Sequence, residues 1–237
     1  MVATSALLTP VSEFTMHRGA PPSPPTNPSL EVGAVHLWMA DVATAATRAG
    51  VLSDGERRRA SRFRFERDRT RWVGAHVLQR VALASYLPVA PERLHLEAGP
   101  RDKPRLRGPT GGESLEFNLS HAGDLALVAV ADRRAVGVDV EVHRAARDLV
   151  AIARRVLGNR VADELDSLPA AEQRVRFYQL WVRHEARMKC LGSGVVEPGD
   201  ASREPLTLVD LHVGDGYTSA LAVAGPPPRI RPFMVSV

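Results

Sequence analysis

Three short runs in the middle of the chain, Glu116–Leu119, Leu125–Val130 and Val136–Val140, read as strands, and a long helical pattern lies on either side of them. The first, from about Glu66 to Leu87, gathers Trp72, Val73, Val77, Ala84 and Leu87 on an apolar face and is stopped by Pro88 and Pro91. The second runs from about Leu149 to Gly192 and is broken near Gly158-Asn159 and Leu168-Pro169. Ala131-Asp132-Arg133-Arg134 reads as a hairpin connection between the last two central strands. Both halves of the chain thus contain helices followed by strands.

Residues 1–30 hold Pro21-Pro22-Ser23-Pro24-Pro25 and Pro28, too much proline for a packed core, and read as a disordered leader. The fold is expected to begin near Glu31-Val32, with Val35–Met39 alternating as a strand. Ser53, three residues ahead of Glu56, has the spacing of a capping box and opens a charged helix carrying Arg57-Arg58-Arg59. Leu206–Val213 and Tyr217–Val223 pair across Gly214-Asp215-Gly216, and the tail beyond Gly225-Pro226-Pro227-Pro228 offers one more edge strand. The elements divide into an N-terminal half, 31–130, and a C-terminal half, 131–237, although no sequence repeat links them.

The function follows from a few residues. In a strand, Asp139 and Glu141 of Gly137-Val138-Asp139-Val140-Glu141 point to one side. In a helix, Glu185 and Lys189 of Trp181–Lys189 stand one turn apart on one side. Three carboxylates and an ammonium brought together suit Mg²⁺ and a polyphosphate, since Mg²⁺ prefers a few carboxylates plus substrate phosphate oxygens. The bland alternatives are a solvated strand edge and a surface Glu185–Lys189 pair worth only about 0.3–0.5 kcal/mol. Trp181, one turn before Glu185, argues for a half-buried helix and so for the functional reading. Ser120 and His121 follow a strand and precede Gly123, so they are expected in a tight turn beside the Asp139 strand, where a hydroxyl and an imidazole can donate to phosphate oxygens. Adjacent residues cannot form a nucleophile–base pair, and there is no G-x-S-x-G elbow, which removes a Ser-His hydrolase.

Other classes fall away. Lys and Arg number 31 against 27 acidic residues, a net charge of +4 and a pI near 9.8. Most of the cations are arginine, suited to forked phosphate contacts. The excess is small for a nucleic-acid binder, and neither CxxC spacing nor an aromatic RNP-like strand is present. No apolar run reaches membrane-spanning length. The single cysteine, Cys190, precludes an intrachain disulfide and suits a reduced, cytoplasmic setting. His76, His95, His143 and His212 show no metal-ligand spacing, and Gly108–Gly112 lacks the P-loop Lys.

Taken in order, Arg57–Arg59, Phe63 to Arg80, Lys103-Pro104, Phe117-Asn118-Leu119-Ser120-His121, Gly137–Glu141 and Trp181–Gly192 resemble the Sfp-type 4′-phosphopantetheinyl transferases over about residues 35–225. The two acidic motifs stand 46 residues apart, counted from Asp139 to Glu185. The resemblance implies two similar α+β halves related by a pseudo-twofold axis, with coenzyme A in the cleft between them. It implies transfer of the phosphopantetheine arm to a serine of an apo acyl or peptidyl carrier protein, with release of adenosine 3′,5′-bisphosphate. By the same resemblance Mg²⁺ is held by Asp139, Glu141 and Glu185, and Glu185 serves as metal ligand, general base or both. Lys189 steadies the leaving group, and Ser120 and His121 contact the coenzyme A phosphates. Arg59, Arg101, Lys103 and Pro104 grip the nucleotide. The arginines from Arg144 to Arg155 are candidates for carrier docking, and the length resembles the broad-specificity monomeric type. Arg57, Arg58, Arg62 and Arg64 read as a solvated helix face; Arg71 and Arg80 leave packing and carrier contact open. One residue departs from the family pattern W-x-x-K-E-x-x-x-K: His184 stands where a lysine is usual.

Overall fold

Strand Leu125–Asp132 is buried on both faces almost throughout, and that one fact organises the architecture. The computed structural model describes residues 12–15, 28–99, 103–107, 112–144, 148–192 and 205–235. In chain order the elements are β1 (Ser12–Thr15), β2 (Ala34–Asp41), α1 (Val42–Ala46), α2 (Asp54–Ala60), α3 (Glu66–Ala84), β3 (His95–Ala98), β4 (Pro104–Arg107), β5 (Leu115–Ala122), β6 (Leu125–Asp132) and β7 (Val136–Val142). There follow α4 (Leu149–Val156), α5 (Asn159–Asp166), α6 (Ala170–Leu191), β8 (Leu206–His212), β9 (Tyr217–Ala224) and β10 (Arg229–Met234).

Two four-stranded sheets form, in the orders β10-β2-β6-β5 and β1-β8-β9-β7, beside the small ribbon β3-β4. The even-numbered residues of β6, Ala126, Val128 and Val130, pack with Trp72, Val77 and Leu78 of α3. Its odd residues Leu127, Ala129 and Ala131 join Val136, Val138 and Val140 of β7 and Leu221 and Val223 of β9. The inner faces of the two sheets therefore share one apolar cluster, with α3 covering one outer face. Helix α6 covers the other through Val182, Ala186 and Cys190 on Ala220 and Ala222.

The halves repeat one topology. β2–α3–β5–β6 and β7–α6–β8–β9 are each strand, helix, hairpin, and each sheet sets the last strand between the other two, β2-β6-β5 and β7-β9-β8, all antiparallel. The α+β class and its two similar halves are borne out. The hairpin expected at Ala131–Arg134 is not formed: β6 pairs with β2 and β5, β7 pairs with β9, and the turn carries the chain from one sheet to the other. The physical reason is burial, because β6 already has a partner on each edge. The leader was expected to be disordered, yet Ser12–Thr15 lies parallel on the free edge of β8, with Phe14 against the central cluster. The tail strand β10 lies parallel to β2. Ser53 caps α2 reciprocally with Glu56 as its spacing predicts.

On the outer face of β2 a buried polar knot has a pH consequence. Trp38 Nε1 donates to Tyr86 Oη (2.8 Å), and that hydroxyl meets His36 Nδ1 at 2.8 Å. Nε2 is buried without a partner. Burial first, then Arg231, with Glu31 opposing, lowers the pKa of His36 to about 4. A histidine depressed in the folded state contributes stability above its unfolded pKa near 6.5, and that stability is lost as pH falls through 4. The melting temperature is expected to drop between pH 6.5 and 4, with a shallower slope in His36→Phe. Equal slopes in thermal unfolding of the two proteins would refute the assignment.

Candidate active site

The site is built where the free edge of β7 meets α6 and the end of β5. Val136, Val138 and Val140 point into the core, so alternation turns Gly137, Asp139 and Glu141 toward α6. Gly137 is what lets the helix come close: a Cβ there would stand 2.1 Å from Ala186 O and 2.4 Å from Cys190 N. From α6, Trp181, Glu185 and Lys189 recur every four residues and form one stripe. β5 adds Leu119, Ser120 and His121, the last two within the strand rather than in the expected turn, and together these residues line a cavity of about 420 Å³ with Asp139, Val140 and Glu141.

Asp139 is the centre of the polar network. Its Oδ1 accepts from Lys189 Nζ at 2.6 Å and from Ser120 Oγ at 3.0 Å. Lys189 Nζ also lies 3.1 Å from Ser120 Oγ and donates to Val138 O at 3.3 Å. Asp139 Oδ2 is buried with no partner. Burial pushes the Asp139 carboxyl up, against the pull of Lys189. Burial and the charge of Asp139 raise Glu141 and Glu185 as well. These are carboxylates crowded together with too little positive charge among them. His121 is pushed down by burial, then by Lys189 and Arg71, and His184 by burial, then by Arg187. His184 is not among the cavity-lining residues.

Asp139, Glu141 and Glu185 are the residues here that could offer oxygens to a hard divalent cation. An orphaned buried carboxylate oxygen needs a partner, and two further carboxylates open onto the same space. Among the described residues no group of three His, Cys, Asp or Glu stands in a ligating arrangement by itself. Mg²⁺ is commonly held by one or two carboxylates together with substrate phosphates, so a complete protein cage is not required.

The structure brings Asp139, Glu141, Ser120, His121, Glu185 and Lys189 together. It sets Arg59 apart, in a second cavity of about 620 Å³ lined by Gly55, Arg58, Arg59, Arg62 and Phe63. Its guanidinium lies 5.5 Å from the Trp72 ring centroid. Arg58 and Arg62, expected as solvated surface, line that cavity too, Arg58 from α2 and Arg62 from the turn that follows it. His76 stacks on Trp72, with ring centroids 3.8 Å apart, and burial first, then His121 and Arg59 among its neighbours, lowers its pKa to about 4. Lys103 donates to Val136 O at 3.2 Å and to Glu116 Oε2 at 3.4 Å, fastening the β7 edge. Pro104 begins β4, and Arg101 lies outside the described residues. Arg71 pairs with Asp124, and Arg80 is a buried packing residue. Sequence reasoning missed Trp181 as a cavity wall, though its spacing from Glu185 carried the signal. It also missed Asn118, whose buried Oδ1 accepts from Val138 N at 2.9 Å.

Comparison with known proteins now decides the family. Residues 36–133 match the sequence model of the N-terminal region of 4′-phosphopantetheinyl transferases, and residues 135–222 match that of the 4′-phosphopantetheinyl transferase superfamily. The 4′-phosphopantetheinyl transferase HetI of Nostoc sp. is 33% identical over 86% of this chain and 93% of its own length. The chain belongs to the 4′-phosphopantetheinyl transferase superfamily. A phosphopantetheinyl transferase of Thraustochytrium sp. is 32% identical over 67% of this chain and 58% of its own, and one of Bacillus pumilus 36% identical over 61% and 59%. The two family matches meet at the turn between β6 and β7, where the repeated topology also divides. Among the described residues no helix is long and apolar enough to cross a membrane.

Proposed function

We propose that this transferase moves the 4′-phosphopantetheine arm of coenzyme A to a serine of apo acyl or peptidyl carrier proteins, at the cavity around Asp139, and that it works as a cytoplasmic monomer. The single observation that carries the site assignment is the buried, unpartnered Asp139 Oδ2 beside Glu141 and Glu185. Asp139, Glu141 and Glu185 would hold Mg²⁺, which supplies the positive charge that lets a diphosphate approach three carboxylates.

The chain's own residues do the rest. Ser120 and His121 donate to phosphate oxygens at the mouth of the cavity. Arg59, joined by Arg58 and Arg62, takes the 3′-phosphate end, where forked guanidinium contacts match the charge. Glu185, whose carboxyl is made more basic by burial and by Asp139, accepts the proton of the carrier serine. The serine oxygen then forms a bond to the β-phosphorus as the bridging P–O bond breaks. Lys189 stabilises charge growing on the departing adenosine 3′,5′-bisphosphate. Docking of an acidic carrier is assigned to the arginines from Arg144 to Arg155: Arg147 lies outside the described residues, and Arg154 and Arg155 line a concave surface of α4 and α5 beside exposed Ile152 and Val156. Arg154 also pairs with Asp163, so its contribution is expected in association rate more than affinity.

Asp139→Ala and Glu185→Ala are each expected to lower transfer about 10²–10⁴-fold, read as the mass gain of an apo carrier incubated with coenzyme A and Mg²⁺. Full activity in either folded variant would remove the assignment.

A further inference from the structure

β2 and β7 occupy the same place in the repeated topology, but their outer edges are completed differently. β2 is closed by a backbone ladder with β10, from Ala34 to Met39. Among the described residues no strand pairs with that edge of β7, and side chains take the ladder's role. Lys103 Nζ donates to Val136 O (3.2 Å), Asn118 Oδ1 accepts from Val138 N (2.9 Å), Lys189 Nζ donates to Val138 O (3.3 Å) and Ser120 Oγ accepts from Val140 N (3.3 Å). An open edge is what exposes Asp139 to the cavity, and buried backbone groups left there without partners would each cost about 1–3 kcal/mol.

These four bonds are not equivalent. Ser120 and Lys189 also hold Asp139 Oδ1 and line the cavity, so an arriving diphosphate competes for both. Lys103 acts one residue pair away, at Val136. Asn118 is buried, lies outside the cavity lining, and holds the amide of the residue immediately before Asp139. It is the edge bond beside Asp139 that substrate does not reach.

We propose that Asn118 is a positioning residue for the transfer: by holding Val138 N–H it keeps the β7 edge in register while Ser120 and Lys189 engage phosphate, so that the Asp139 carboxyl keeps its place in the cavity wall. The inference rests on the reading of Asp139 as a cation ligand. Groups that orient a ligand in this indirect way typically change metal affinity or activity by about 10–100-fold when removed. Ser120 already shows that a serine on this face of β5 reaches a β7 amide, which makes Asn118→Ser the conservative variant.

The test compares Asn118→Ala, Asn118→Ser and Asp139→Ala with the parent, using full-length protein. Mn²⁺ binding in the presence of coenzyme A is followed by electron paramagnetic resonance, Val138 amide exchange by NMR, and kcat and KM by carrier mass. Asn118→Ala is expected to fold, to exchange Val138 faster, to bind Mn²⁺ about 10–100-fold more weakly and to lose kcat in the same range. Its KM for coenzyme A should move much less, and Asn118→Ser should recover Mn²⁺ affinity and kcat. Parent Mn²⁺ affinity and kcat in Asn118→Ala, with Asp139→Ala inactive, would overturn the proposal alone. So would an Asn118→Ala protein that does not fold, an activity loss that only follows the unfolded fraction, or no recovery in Asn118→Ser. Full activity in Asp139→Ala would overturn the cation reading and this inference with it.

Discussion

Gly137→Ala is expected to lower the melting temperature by about 6–12 °C and to cut transfer by up to about 100-fold. The added methyl would stand 2.1 Å from Ala186 O and 2.4 Å from Cys190 N, both backbone atoms that no rotamer change can move. Helix α6 would have to lift from β7, yet it is anchored to β8 by the two-point Arg183–Asp210 pair, at 2.8 and 2.6 Å. Overpacking costs about 1–3 kcal/mol, and a backbone clash belongs at the upper end. About 3 kcal/mol corresponds to the stated shift for a protein of this size. The larger effect is functional, because lifting α6 carries Glu185 and Lys189 away from Asp139, and a displacement of about 1 Å can cost 10²-fold. Gly50→Ala is the control, since a Cβ there meets nothing within 4 Å. Thermal unfolding and carrier mass gain check both effects; a Gly137→Ala protein as stable and active as Gly50→Ala would show that the helix does not rest on this glycine.

Arg80→Ala should be the most destabilising change far from the cavity, about 3–5 kcal/mol, the range for breaking a buried ion pair. Arg80 is 2% exposed. Its Nε lies 2.6 Å from Glu56 Oε2, and one terminal nitrogen donates to Pro91 O at 2.6 Å and Leu94 O at 3.2 Å. The same Glu56 oxygen accepts from the Ser53 amide and hydroxyl, each at 2.8 Å. One guanidinium thus ties the cap of α2, the C-terminal part of α3 and the turn before β3. Its loss strands a half-buried carboxylate and two carbonyls. Replacing both partners, as in Glu56→Gln with Arg80→Met, should recover much of the loss, because the uncharged pair leaves no buried charge uncompensated. The single variant should also raise KM for coenzyme A, since α2 carries Arg58 and Arg59, and Arg62 follows just beyond its C-cap Ser61. Chemical denaturation resolves the stability effect, and a loss under 1 kcal/mol would contradict the role given to Arg80.

Much of this was legible in the residues. The Ser53–Glu56 cap, the helix from Glu66, the breaks near Gly158 and Pro169 and the Leu206–Tyr217 strand pair are local, so spacing and turn chemistry suffice to read them. Asp139 with Glu141, and Glu185 with Lys189, could each be set on one face by the period of strand or helix alone. Three features were not legible. The Asp132–Arg134 turn looks like a hairpin connection because nothing local says that both edges of β6 are already taken. Proline content hides Ser12–Thr15, whose strand exists only because β8 offers a free edge. Lys103 reads as a nucleotide grip because a lysine before a proline carries no sign that a strand edge in the other half needs its ammonium.

The residues by themselves determined the helices and strands, the α+β class and the kinds of group available for phosphate chemistry, because those depend on interactions a few positions apart. Only the tertiary structure decided that the edge of β7 stays open, that Gly137 draws α6 onto it, and that Asn118, Ser120, Lys103 and Lys189 close it with side chains. Those contacts join residues between 20 and 69 positions apart in the chain, and sequence periodicity carries no information over such separations.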